Sequence, residues 1–215
     1  VLTKRAERMH ELMQSLTLDE CLNAAGLAPD FLPTWPPQNL WLGVSVEDQQ
    51  RADERIPLLM QTPAALRYLS LEPLLGPVDL SKWLLCHCSA ETGHCDPCLQ
   101  GCPKWAIVGG ESGDRARPMH PNWVRSLRDQ CKFSRLSFFF KQWGEWAPWE
   151  GAGVGVPSIE ARRINDTGQD ITSIPELHCG DEQVTDAYVY RVGKKAAGRE
   201  LDGRTWDEMP RGAGA

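Results

Sequence analysis

The sequence lacks an apolar run long enough to cross a bilayer. Its longest apolar stretches, such as Leu136 to Phe140, fall far short of the ~20 residues a membrane-spanning helix needs. It shows no charged-then-apolar leader either, so the expected compartment is the cytoplasm, without a membrane partner. It also lacks basic excess: 23 Lys and Arg stand against 29 Asp and Glu, a formal charge of −6. That balance argues against a broad, sequence-blind nucleic-acid surface and leaves room only for a local basic groove. No G-x-G-x-x-G or Walker pattern marks a phosphate loop, and no local Ser-His-Asp or Cys-His motif marks a nucleophile. No repeat of solenoid type is present.

Cysteine is not lacking, but it is unevenly spread. Five of the eight cysteines fall in Cys86-His87-Cys88-Ser-Ala-Glu-Thr-Gly-His94-Cys95-Asp-Pro-Cys98-Leu-Gln-Gly-Cys102. Thiols stay reduced in the cytosol, so clustering there points to metal rather than disulfides. The Cys95-x2-Cys98 step puts two sulfurs within reach of one ion. Cys88 and Cys102 can complete a tetrahedron, with Cys86, His87 and His94 as substitutes. Structural zinc is the expected ion. An iron–sulfur cluster is the alternative, because Cys95-x2-Cys98-x3-Cys102-Pro103 matches the tail of a bacterial ferredoxin run. A metal-free insert, reduced or disulfide-bonded, is a third option. The insert has almost no apolar side chains, so bound metal would supply the stability that burial cannot.

Outside the insert, apolar β-rich runs alternate with helical patterns. Lys4–Leu18, Asp48–Met60 and Pro121–Cys131 carry apolar residues at three- and four-residue spacing. Strands are expected near 40–47, 66–72, 105–110 and 136–141. The last run is apolar without a break, which predicts burial on both faces. Ala28–Gln38 carries four prolines and reads as a loop, as does Trp146–Pro157. Ser158–His178 reads as polar and irregular, and Ala187–Val192 as a strand. The fold class is therefore α/β: a partial (β/α) barrel or an open parallel sheet over residues 1–150, with the cysteine-rich insert at 84–104. Residues 151–215 form an irregular C-terminal cap.

The strand ends carry the polar residues. Ser45-Val-Glu47 and Ser70-Leu-Glu72 each place a hydroxyl and a carboxylate two residues apart, on one side of a sheet. Gly109-Gly110-Glu111 ends the third run and Lys141 the fourth. Ligand sites in parallel α/β folds lie at the carboxyl ends of strands, so Glu47, Glu72, Glu111 and Lys141 are expected to share one cleft. Carboxylates that close would raise one another's pKa, while Lys141 would lower them. Gly109 and Gly110 would let a ligand approach the backbone. Trp143, Trp146 and Trp149 read as packing residues, and His120 as structural.

Several runs together resemble a phage- and prophage-encoded family of radical-SAM-like proteins of unknown function. They are Leu2-Thr-Lys-Arg5, Asn39-Leu-Trp-Leu-Gly-Val-Ser-Val-Glu47, Leu71-Glu-Pro-Leu-Leu-Gly-Pro77, Val108-Gly-Gly-Glu-Ser-Gly113 with Arg117-Pro-Met-His-Pro121, Phe140-Lys-Gln-Trp-Gly144, and Gly193-Lys-Lys-Ala-Ala-Gly-Arg199 with Leu201-Asp-Gly-Arg-Thr-Trp206. The resemblance implies a partial barrel, of which this chain is the C-terminal half. It places Ser45 and Glu47 near S-adenosylmethionine, and Glu72, Glu111 and Lys141 nearer the substrate. The three-cysteine cluster motif of such proteins would lie upstream of Leu2, and the isolated Cys21 cannot replace it. Radical chemistry is thus expected only with an N-terminal half or partner subunit, on a nucleotide or nucleic acid. Two other functions stand beside it: a zinc-stapled binding module without catalysis, and a carboxylate-rich, metal-dependent hydrolase. An open sheet edge would also favour a homodimer.

Overall fold

The computed structural model describes residues 1–26, 35–84, 101–148, 160–173 and 186–210. Five strands, β1 (Leu2–Thr3), β2 (Trp41–Ser45), β3 (Leu66–Leu71), β4 (Trp105–Gly109) and β5 (Ser137–Gln142), form one sheet in chain order. Every neighbouring pair is parallel. Among the described residues the sheet is open and no barrel closes. The four predicted strands are present within two residues of their expected ends. The fifth, β1, lies inside the stretch preceding the first predicted helix. Two residues carry no periodicity, and only their pairing with Gly43 and Val44 makes them a strand.

The connecting helices bury one face of this sheet. α1 (Ala6–Ser15) contributes Ala6, Met9 and Met13. It is followed by the short α2 (Leu18–Ala25). α3 (Gln49–Gln61) starts at Asp48, whose side chain accepts the Arg51 N–H at 2.8 Å, filling one of the unpaired donors of the first turn. It buries Ala52, Ile56 and Leu59. α4 (Ser81–Leu84) leads towards the cysteine insert. α5 (Pro121–Phe133) opens with proline and is capped by His120, whose Nδ1 accepts the Asn122 N–H. His120 is thus structural, as expected. The helices meet Val44, Leu69, Ala106, Val108, Phe138 and Phe140, which are fully buried.

The opposite face differs from expectation. Phe139 is only half-buried, although its run is apolar throughout. No helix layer covers that face among the described residues. Instead Trp41, Tyr68 and Phe139 gather around Trp105 at ring separations of 6.4, 6.0 and 6.0 Å. Edge-to-face and tilted contacts of this kind let aromatics shelter one another where a second layer is missing.

At the β5 edge, residues 206–208 run antiparallel to the strand. Phe140 donates to the Trp206 carbonyl and Glu208 to the Phe138 carbonyl. Among the described residues the β1 edge carries no such cover, and Val1 and Leu2 are exposed.

The C-terminal region is more regular than its sequence suggests. β6 (Trp146–Pro148), β7 (Ala161–Ile164) and β8 (Ala187–Arg191) form an antiparallel sheet in the order β6-β8-β7. β6 lies in the stretch read as a Trp/Gly/Pro loop and β7 in the stretch read as irregular; both are corrected here. Their core is Trp146, Ile164 and Val189 with Ala116. A single turn of helix, α6 (Lys194–Ala197), follows. Trp143 and Trp146 are buried, and their indole N–H groups donate to the carbonyls of Glu200 and Ala116. Trp149 lies outside the described residues.

Candidate functional site

The carboxyl ends of the parallel strands meet the loops that follow them in a charged rim. Ser45 and Ser70 are register partners at the ends of β2 and β3, and both are buried. Glu47 follows two residues after Ser45. Its carboxylate is held from both sides, by Lys4 Nζ at 2.5 Å and the Arg55 guanidinium at 2.8 Å. Arg55 reaches down from α3 and also donates to the Ser45 carbonyl. Burial works to raise the Glu47 pKa, but the Lys4 hydrogen bond and the Arg55 charge outweigh it and leave it below the usual carboxylate range.

Glu111 follows β4. Arg117 grips it through two guanidinium N–H groups and its own backbone N–H, at 2.8–2.9 Å. These hydrogen bonds hold Glu111 below its ordinary value, with a further contribution from the Lys4 charge.

Glu72 lies between these two carboxylates in chain order. Lys141 Nζ is 2.8 Å from one of its oxygens, and Gln142 Nε2 donates to the other at 3.0 Å. Gln142 also reaches the Ser112 hydroxyl. A side chain at Gly109 would come within 3.1 Å of Glu72 Oε1, so glycine lets Glu72 lie across the end of β4. At Gly110 an added Cβ would sit 1.9 Å from the Trp143 carbonyl oxygen. The Gly110 N–H donates to the Gln142 carbonyl. This pair of glycines packs two loops together, and the Gly110 amide is already used by the fold.

Glu47, Glu72, Glu111 and Lys141 thus all follow or end strands at the carboxyl side of one sheet. Glu47 and Glu111 do not raise each other's pKa. Glu47 and Glu111 are lowered instead, because each has its own cation. Sequence reasoning missed Lys4, Arg55, Arg117 and Gln142. A charge spaced eight residues after Glu47, on the inner turn of α3, was a signal for Arg55; the other partners meet their carboxylates only through tertiary folding.

Of the proposed metal ligands, Cys88, Cys95 and Cys98 lie outside the described residues, as do Cys86, His87 and His94. Cys102 is half-buried shortly before β4. Among the described residues no group of three His, Cys, Asp or Glu is placed to hold a metal. Cys21, Cys102 and Cys131 sit on separate elements, and burial in α5 pushes the Cys131 thiol far up.

The fold and rim define an α/β protein with a five-stranded parallel sheet and a mixed-charge site at its strand ends. Residues 1–210 match the family described as a protein of unknown function, DUF5131, and the chain belongs to that family. No curated protein and no solved structure matches it. Among the described residues no helix is long and apolar enough to cross a membrane.

Proposed function

We propose that this chain is the substrate-holding half of a radical-SAM-like barrel enzyme of phage type, and that its rim receives a nucleotide or nucleic-acid strand. The observation that supports this is the gathering of Lys4, Arg55, Arg117 and Lys141 with three carboxylates at one end of a parallel sheet. The cations are not equivalent. The Arg55 side chain is 14% exposed and fixed, whereas Lys4, Arg117 and Lys141 are 61%, 59% and 50% exposed. The exposed three can share their charge with an incoming phosphate, and Glu72, Gln142 and Ser112 offer acceptors and donors to a base or sugar. On this reading S-adenosylmethionine enters only where a cluster-bearing segment or subunit completes the barrel. This chain's own task is to bind and orient.

The zinc-stapled binding module shares that binding step and differs only in lacking the chemistry. The carboxylate hydrolase has less support, because every rim carboxylate is engaged by a cation. The test is titration of the purified chain with nucleoside monophosphates and short single-stranded oligonucleotides. Saturable, salt-sensitive binding is expected, weakened about tenfold (one bidentate or charge-assisted contact) by Lys141→Met or Arg117→Met. No saturable binding, or binding indifferent to both changes, would sink the reading.

A further inference from the structure

The other end of the sheet carries a second charged cavity, built from residues the rim does not use. Its volume is ≈ 830 Å³, and its lining includes Leu66, Lys104, Arg135, Ser137, Met209 and Pro210. That volume lies within the range of small-molecule pockets. Leu66 and Ser137 begin β3 and β5, and Lys104 immediately precedes β4, so the cavity sits at the amino-terminal ends of three adjacent strands.

The backbone around it is fixed. Lys104 N–H donates to the Arg67 carbonyl at 2.8 Å, and the Lys104 carbonyl accepts from Ser137 N–H. Arg135 occupies the left-handed region, φ 55°, in the tight turn between α5 and β5. Residues 206–208, paired along β5, bring Met209 and Pro210 over the opening.

The two cations here differ from those of the rim. Lys4, Arg55, Arg117 and Lys141 each face a carboxylate. Among the described residues neither the Lys104 ammonium nor the Arg135 guanidinium makes an ion pair or a hydrogen bond. A guanidinium fork, a point-charge ammonium and a hydroxyl together match the oxygens of a tetrahedral phosphate. Leu66, Met209 and Pro210 add apolar surface, and Met209 is 54% exposed.

We propose that this cavity binds a small phosphate monoester with an apolar body, at a site separate from the rim. Phosphate oxygens would engage Lys104, Arg135 and Ser137, and the ester group would lie against Leu66, Met209 and Pro210. The proposal is independent of the rim's function, since the two sites share no residue.

The probe is phenyl phosphate, titrated calorimetrically into the full chain at constant ionic strength, with inorganic phosphate and benzoate in parallel. Phenyl phosphate is expected to bind saturably and at least about tenfold more tightly than either, since each lacks one half of the match. The double variant Lys104→Gln, Arg135→Asn should weaken it about tenfold or more; asparagine tolerates the left-handed turn. The charge-conserving pair Lys104→Arg, Arg135→Lys should retain binding, which separates loss of charge from loss of fold. Arg117→Met with Lys141→Met should leave it unchanged. Absence of saturable binding, equal affinity for benzoate, or indifference to the Gln/Asn pair would overturn the proposal.

Discussion

Lys4 Nζ lies 2.5 Å from Glu47 Oε1, and this contact ties the loop after the edge strand to the rim. Arg55 holds the second oxygen of the same carboxylate from α3. One glutamate thereby joins β1, β2 and a helix. Removing it strands Arg55, whose side chain is only 14% exposed.

Glu47→Gln should therefore destabilise the protein at neutral pH by about 1–3 kcal/mol. The Glu47 pKa in the fold lies below its ordinary value of 4.5. Its stabilisation is fully present above that ordinary value and is lost as pH falls through the lower folded value. Urea unfolding of the two proteins should diverge at pH 7 and converge below pH 4.5. A constant difference down to the lowest accessible pH would contradict the pairing.

Arg117→Met should let Glu111 return upward towards its ordinary value of 4.5. The carboxyl carbon of Glu111, followed by NMR against pH, should titrate lower in the wild type than in the variant. Identical curves would mean that the Arg117 fork does not hold this group in solution.

Gly110→Ala and Gly113→Ala should separate two uses of glycine. At Gly110 a Cβ would meet the Trp143 carbonyl oxygen at 1.9 Å, whereas at Gly113 nothing lies within 4 Å and only φ 106° opposes a side chain. The first change should cost several kcal/mol and the second about 1 kcal/mol. Thermal unfolding in parallel checks the order, and a reversed order would refute the close approach of the two loops.

The β1 edge, uncovered among the described residues and with Leu2 exposed, should drive concentration-dependent association through strand pairing. Light scattering should detect dimers at high concentration, and Leu2→Lys should suppress them. A wild-type chain that stays monomeric throughout would count against this edge as a contact surface.

We propose structural zinc on Cys88, Cys95, Cys98 and Cys102; changing Cys95 and Cys98 together to Ser should then abolish metal binding and leave the parallel sheet folded. Metal analysis distinguishes zinc from iron, and far-UV circular dichroism reports the sheet. Full retention of the metal would place its ligands elsewhere.

Strands β2 to β5 were legible because each is an apolar, β-rich run closed by a turn signal, and local pattern suffices to define such a run. The half-exposed Phe139 was not legible, because a run of apolar residues does not say which face receives helices. β6 and β7 escaped for another reason. Trp146-Ala-Pro148 and Ala161-Arg-Arg-Ile164 have no strand pattern of their own and become strands only by pairing with β8.

The carboxylates of the rim followed from sequence alone, since a two-residue period and a common chain direction place Glu47, Glu72 and Glu111 at the same end of a parallel sheet. Their pairing with cations was decided by tertiary structure. Lys4 stands 43 positions from Glu47, and Lys141 stands 69 from Glu72. No local period relates residues so far apart. Only the order of the strands in the sheet brings Lys4 and Lys141 to their carboxylates, and with Arg55 and Arg117 they make the rim a set of ion pairs rather than a cluster of repelling acids.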